Sequence, residues 1–149
     1  MKISEAMTPD VQLVKPNDTL QQAARKMGEI DAGILPVTEN DRLVGMITDR
    51  DIAVRGVAQG CSPDTLVRDV MSSEVLYCFD DDEIDDVVQN MSDIKVRRLP
   101  VLDRNKRLVG IVSLGDIAIV EGASAAGQAI CGISEPGGQH SQTANGRAA

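Results

Sequence analysis

Leu35-Pro36-Val37 followed by Arg42-Leu43-Val44-Gly45-Met46-Ile47-Thr48-Asp49-Arg50-Asp51-Ile52-Ala53 decides the fold, because the chain carries it twice. Leu99-Pro100-Val101 and Arg107-Leu108-Val109-Gly110-Ile111-Val112-Ser113-Leu114-Gly115-Asp116-Ile117-Ala118 form the second version. Working outward, Met7 pairs with Met71, Val11 with Val75, Asp18 with Asp82, Met27 with Met91 and Ile30 with Ile94 at an offset of 64, which becomes 65 after one extra residue near Lys106. A repeat of this length implies two related half-structures and a binding cleft between them.

Each copy reads as strand, helix, strand, strand, helix. In the first, Val11 to Val14 is a short strand stopped by Pro16-Asn17. Asp18 caps the following helix, Gln21 completes a capping box, and Leu20, Ala23, Ala24 and Met27 form an apolar stripe at helical spacing. Ile84, Val87, Val88 and Met91 repeat that stripe. Ile34 to Val37 and Leu43 to Ile47 are strands joined by the turn residues Glu39-Asn40-Asp41, and a second helix starts at Thr48. Ile3 to Met7 and Leu66 to Met71 are equivalent lead-in segments. Neither copy alone has much apolar surface, so the expectation is an α+β protein whose two βαββα repeats pack through their sheets around a shared aliphatic core, as one pseudo-two-fold module. The expected domains are residues 1–60 and 61–122, followed by a mobile tail over 123–149, where Gly, Ala, Ser and Gln dominate and Ala125 to Ile130 adds a helical turn.

Composition narrows the function. Of 149 residues 42% are hydrophobic and 26% charged, as in a soluble globular protein, but with one Phe, one Tyr and no Trp the core must be aliphatic. A net charge of -8 opposes binding to nucleic acid or anionic membranes. No signal peptide is recognisable at the start, no 18-residue apolar stretch is present, and a cytoplasmic location is expected. Cys61, Cys78 and Cys131 are odd in number and far apart, which fits a reducing compartment rather than a disulfide framework. His140, the sole histidine, lies in the tail, so neither a zinc pattern nor a catalytic histidine is expected. The run Asp80-Asp81-Asp82-Glu83 with Asp85 and Asp86 lies at a helix start, where carboxylates are favourable, and no metal site is expected there.

The Gly45–Asp51 and Gly110–Asp116 segments sit where a strand passes into a helix. Two chemistries suit the pattern. In one, Thr48 and Asp51, or Ser113 and Asp116, form a capping box. In the other, the helix N-terminus and the hydroxyl hold a phosphate while the Asp carboxylate accepts the two vicinal hydroxyls of a ribose.

The duplicated, ordered set of these segments, together with Leu35-Pro36-Val37 and the amphipathic helix of Leu20 to Met27, resembles a tandem pair of CBS domains, the Bateman module, over residues 1 to about 121. Stand-alone bacterial signalling proteins of that family are similar in length and in the Thr48-Asp49-Arg50-Asp51 stretch. The resemblance implies a homodimer in the form of a flat disc and adenosine-containing ligands in the clefts. It assigns Ile34, Leu35, Pro36, Thr48 and Asp51 to a first site, where Ile34 offers its backbone to adenine and Leu35 and Pro36 form a wall. It assigns Arg98, Leu99, Pro100, Ser113 and Asp116 to a second, with Arg98 departing from the apolar pattern. Arg50 and Arg55 give the first site phosphate partners, whereas the second must borrow Arg97 or Arg98, so the first is expected to be the better site for an anion.

The expected function is a non-catalytic regulatory module that binds AMP, ADP, ATP, NAD or S-adenosylmethionine and signals through altered packing or contacts with a regulated protein. The alternative is a ligand-independent dimerisation or protein-interaction adaptor. An enzyme is not expected, because no nucleophile-base pair, Walker A loop or metal-ligand spacing is present.

Overall fold

A computed structural model describes residues 1–134, and of Ala125, Ala126 and Ala129 the backbone alone. Residues 135–149, with His140, lie outside the described residues. The elements run α1 (Leu20–Ile30), β1 (Ile34–Glu39), β2 (Arg42–Thr48) and a short α2 (Asp49–Asp51) that continues as a π turn (Ile52–Gly56) and a 3-10 turn (Val57–Gln59). There follow β3 (Cys78–Phe79), α3 (Ile84–Ile94), β4 (Arg98–Leu102), β5 (Leu108–Ser113), α4 (Leu114–Glu121) and α5 (Ala123–Ile133). The mixed α+β class and the repeated order are as expected.

The chain divides into two compact units, and neither is simply one repeat. The first-repeat unit is Val11–Leu76 with Lys106–Leu108; the second-repeat unit takes Met1–Asp10, Tyr77–Asn105 and the chain from Val109 onward. The lead-in segments are therefore exchanged. Ile3, from the N-terminal segment, is fully buried among second-repeat residues, and Val67 and Val70, which precede the second repeat, are buried in the first-repeat core. Each unit has a core of its own, closed by the lead-in of the other copy.

One close approach makes that closure work. Ser72 exchanges backbone hydrogen bonds of 2.9 Å with Met46, and Thr8 exchanges bonds of 2.9 and 3.0 Å with Ile111. The neighbouring strand residues are Gly45 and Gly110. A Cβ at Gly45 would lie 2.6 Å from Met71 Sδ and 2.8 Å from the Ser72 carbonyl, and at Gly110 it would lie 2.5 Å from Met7 Sδ and 3.1 Å from the Thr8 carbonyl. Glycine is required there because backbone passes directly over it.

In the first unit β1 and β2 pair antiparallel, with Ile34 opposite Thr48, Leu35 opposite Ile47 and Pro36 opposite Met46. Since side chains alternate along a strand, Leu35, Val37 and Ile47 face the core while Ile34, Pro36, Met46 and Thr48 share the other face. The strand expected over Val11 to Val14 shrinks to a single parallel bridge from Val14 to Val37. Its counterpart in the second unit is β3, which pairs parallel with β4 in a three-stranded sheet of order β3-β4-β5.

The cap of α1 lies one residue later than expected. Thr19 is the N-cap and Gln22 closes the box, with bonds of 2.8 and 3.2 Å. Asp18 is occupied by the preceding turn, where it accepts the Lys15 N–H at 2.8 Å, and the Gln21 N–H donates to the Pro63 carbonyl at 3.1 Å. Of the expected stripe Leu20, Ala23 and Met27 are buried and Ala24 is exposed, whereas its counterparts in α3 are all buried.

The segment expected to open a mobile tail is helical from Ala123 to Ile133 and packs on α3 and α4. Its alanines favour helix, and Gly132 permits the approach: a Cβ there would overlap the Ser92 side chain.

Gly45→Ala and Gly110→Ala are each expected to destabilise the protein by about 1–3 kcal/mol, because a methyl group must displace packed backbone. Urea denaturation of the variants measures it, and wild-type stability in both would contradict the role given to the close approach.

Candidate functional site

Each unit brings its hydroxyl residue and aspartate together at a strand-to-helix junction. Thr48 ends β2 in extended conformation and caps α2: the Asp51 N–H donates to Thr48 Oγ1 at 3.0 Å, and the Thr48 N–H donates to Asp51 Oδ2 at 3.0 Å. Ser113 and Asp116 repeat this with bonds of 3.1 and 2.9 Å at the start of α4. The capping box is therefore formed in both copies.

It leaves binding capacity in reserve. The Thr48 and Ser113 hydroxyls accept in the box and still have a proton to donate, and in each aspartate Oδ1 has no hydrogen-bond partner among the described residues. All four side chains are partly exposed. The cap and a ligand are compatible.

The remaining first-site residues sort by strand face. Ile34 is half-buried beside Thr48, its cross-strand partner. Leu35, expected as a wall, is 1% exposed in the hydrophobic core, and Leu99 likewise in the second unit. Strand alternation turns both inward, so neither is available to line a site. Pro36 and Pro100 are buried as well, and Arg98, at the place of Ile34, is exposed.

The basic residues expected at the two sites are all exposed. Arg55 is exposed and donates to the Met71 carbonyl at 3.4 Å. Arg50 is exposed, and its side chain has no partner among the described residues. Arg97 and Arg98 are likewise exposed without side-chain partners there.

Two pairs were not singled out by the sequence reading. The Asp49 N–H donates to the Gly33 carbonyl at 2.9 Å, tying α2 to the start of β1, and Asp49 Oδ1 accepts the Arg50 N–H at 2.8 Å. A Cβ on Gly33 would lie 2.9 Å from Asp49 Oδ2, so the carboxylate folds over a glycine. At the equivalent places Leu114 donates its N–H to the Arg97 carbonyl at 3.1 Å and Leu114 is buried. The first-site turn thus holds an acidic side chain on one of its own N–H groups, and the second has leucine there instead. The offset of 64 to 65 aligns these pairs, but their contact across the junction is visible only in three dimensions.

Three carboxylates of the acidic run are occupied locally. Asp82 accepts the Phe79 N–H at 2.9 Å, Glu83 pairs with Lys2 at 2.8 Å, and Asp81 pairs with Arg104 at 2.6 Å. Arg104 holds the Asp81 carboxyl below the usual aspartate range and also lies 4.1 Å from the centre of the Phe79 ring. Cys78 is buried, and burial pushes its thiol up to about 12, so it is a core residue rather than a nucleophile.

Thr48→Ala and Ser113→Ala should each cost about 1 kcal/mol through loss of the cap, while Thr48→Ser retains it. Chemical denaturation distinguishes the three variants, and equal stability of Thr48→Ala and wild type would contradict the cap.

A profile of the CBS domain matches residues 3–56 and again 67–121. The CBS domain-containing protein YhcV of Bacillus subtilis is 43% identical over 133 residues, which is 89% of this chain and 94% of that protein. Among solved structures, the CBS domain pair of protein MJ0100 in complex with 5-methylthioadenosine and S-adenosyl-L-methionine is similar at a TM-score of 0.72 and 27% identity, over 82% of this chain and 96% of that one. CBSX2 in complex with AMP is similar at a TM-score of 0.71 and 25% identity, over 80% and 95% of the two chains. The two matched segments coincide with the two sequence repeats, and the chain belongs to the CBS-domain family, with two CBS domains in tandem.

Proposed function

We propose that this protein is a non-catalytic regulatory module whose two CBS units bind adenosine-containing ligands at the strand-to-helix junctions, and that it acts as a homodimer on a regulated partner. The observation that carries this reading is the reserve left by the two capping boxes: at each junction a hydroxyl proton and an unused carboxylate oxygen stand side by side. Together they offer a donor to phosphate or ring nitrogen and an acceptor to a ribose diol. The CBS pairs solved with AMP, or with 5-methylthioadenosine and S-adenosyl-L-methionine, support the same ligand class. Candidate effectors are AMP, ADP, ATP, NAD and S-adenosylmethionine, and no resident cofactor or metal is part of the reading. Among the described residues no helix is long and apolar enough to cross a membrane.

The two sites divide by charge in this proposal. Asp49 already supplies a carboxylate to the first-site turn, which disfavours an added phosphate. Leu114 leaves the second-site turn without one, and Arg97, whose carbonyl accepts the Leu114 N–H, and the adjacent Arg98 are exposed and unpaired among the described residues. The second site therefore suits phosphorylated ligands and the first suits adenosine compounds without phosphate, the reverse of the ranking drawn from Arg50 and Arg55.

A thermal-shift and calorimetry panel of adenosine, S-adenosylmethionine, AMP, ATP and NAD tests this. A ligand at about 100 times its Kd stabilises the fold by roughly 2.7 kcal/mol. Asp116→Ala should abolish the AMP response and Asp51→Ala the S-adenosylmethionine response, and Asp49→Leu should add AMP binding to the first site. No stabilisation by any compound in the panel overturns the ligand reading, while responses that both aspartate variants reduce equally overturn the division by charge.

A further inference from the structure

Each backbone crossing is closed by a methionine. Met71 Sδ lies 2.6 Å from the place of a Gly45 Cβ, and Met7 Sδ 2.5 Å from the same point at Gly110. Both side chains are half-buried, Met71 packed against the first-repeat core and Met7 against the second. Met27 and Met91 differ from them, at 7% and 0% exposed inside those cores. A small solute therefore reaches the thioethers at the crossings more readily than the two in the cores.

The crossings are poor places for an added polar atom. The Ser72 and Thr8 carbonyls already approach the same points, to 2.8 and 3.1 Å. The backbone N–H groups around them are committed. Met46 and Ser72 donate to each other at 2.9 Å, Thr8 and Ile111 at 2.9 and 3.0 Å, and Met7 and Met71 donate to the Ile3 and Val67 carbonyls at 2.9 Å. When a peroxide meets a thioether, a sulfur lone pair attacks one oxygen, an S–O bond forms and the O–O bond breaks. The departing hydroxide takes the proton of the transferred oxygen and leaves as water, so the sulfur is oxidised to a sulfoxide and the peroxide is reduced. At either crossing the new oxygen enters a space shared with a carbonyl oxygen, with no backbone donor to spare. The strands affected run on from Gly45 to Thr48 and from Gly110 to Ser113, and the Met71 carbonyl also accepts Arg55 at 3.4 Å.

We propose that Met7 and Met71 are oxidation-sensitive latches. A peroxide converts them to sulfoxides in the folded protein, the lead-in segments release from β5 and β2, and reduction of the sulfoxides closes them again. Each unit answers to the methionine that crosses its own strand. This goes beyond the ligand reading and does not rest on it.

Amide hydrogen exchange, resolved by NMR on the full-length chain with its thiols alkylated, tests it. Hydrogen peroxide is expected to add one oxygen each at Met7 and Met71 while Met27 and Met91 stay reduced, as peptide mass spectrometry reads. The amides of Met46, Ser72, Thr8 and Ile111 then exchange about ten- to a hundredfold faster. Methionine sulfoxide reductases for both epimers, supplied with a thiol reductant, restore the original rates. Met71→Leu, a change that nearly conserves volume, keeps the Met46 and Ser72 amides slow under peroxide and leaves Thr8 and Ile111 responsive, and Met7→Leu does the reverse. Protection of Met7 and Met71 equal to that of Met27 and Met91 overturns the proposal. So does oxidation of both without faster exchange, or faster exchange at Met46 and Ser72 in oxidised Met71→Leu. The wild-type rates decide alone where a leucine variant does not fold. Failure of every adenosine compound in the ligand panel leaves all of these rates as expected.

Discussion

The passage of backbone over Gly45 and Gly110 is the constraint on which the rest of the structure depends. Each strand accepts the lead-in segment of the other copy at hydrogen-bonding distance, and the Met71 and Met7 side chains lie where a Cβ would be. That contact anchors the segments that deliver Ile3 to one core and Val67 and Val70 to the other. It also holds the strands whose last residues are Thr48 and Ser113. The two strand-to-helix junctions are thus the ends of strands that are crossed, near their middles, at a glycine.

At those junctions the helix cap and the proposed binding draw on different atoms of the same side chains. The capping box takes one lone pair of the hydroxyl and one carboxylate oxygen; the hydroxyl proton and the second oxygen face outward in the hydrogen-bonding sense, without partners among the described residues. The two explanations of the repeated segment, helix cap or ligand site, are therefore not competitors. What separates the copies is the residue after the cap, aspartate over a glycine in one and a buried leucine, its N–H on the Arg97 carbonyl, in the other.

The sequence reading was strongest where a local pattern had one physical solution. Helical spacing placed α1 and α3, alternation placed β1 and β2, and the hydroxyl-to-Asp spacing located both junctions. It was weaker where two neighbours could do the same job: Asp18 and Thr19 are both good caps, and only the Lys15 turn, which claims Asp18, decides between them. The family resemblance assigns Leu35 and Leu99 to the sites, yet both side chains point into the cores, a direction that strand pairing decides. For Ala123–Ile133, glycines read as breakers, although Gly132 serves contact with Ser92.

By itself the sequence determined the repeat, the order of elements in each copy, the family and the hydroxyl-aspartate pairs, because all of these are carried by spacing along the chain. Tertiary structure alone decided which copy each lead-in segment completes, which face of β1 is core, that Asp49 occupies its own helix turn, and that α5 covers one helix face. Those outcomes turn on contacts between residues far apart in sequence, such as Met71 with Gly45 and Ser92 with Gly132, where close approach of backbone rather than local preference selects the arrangement.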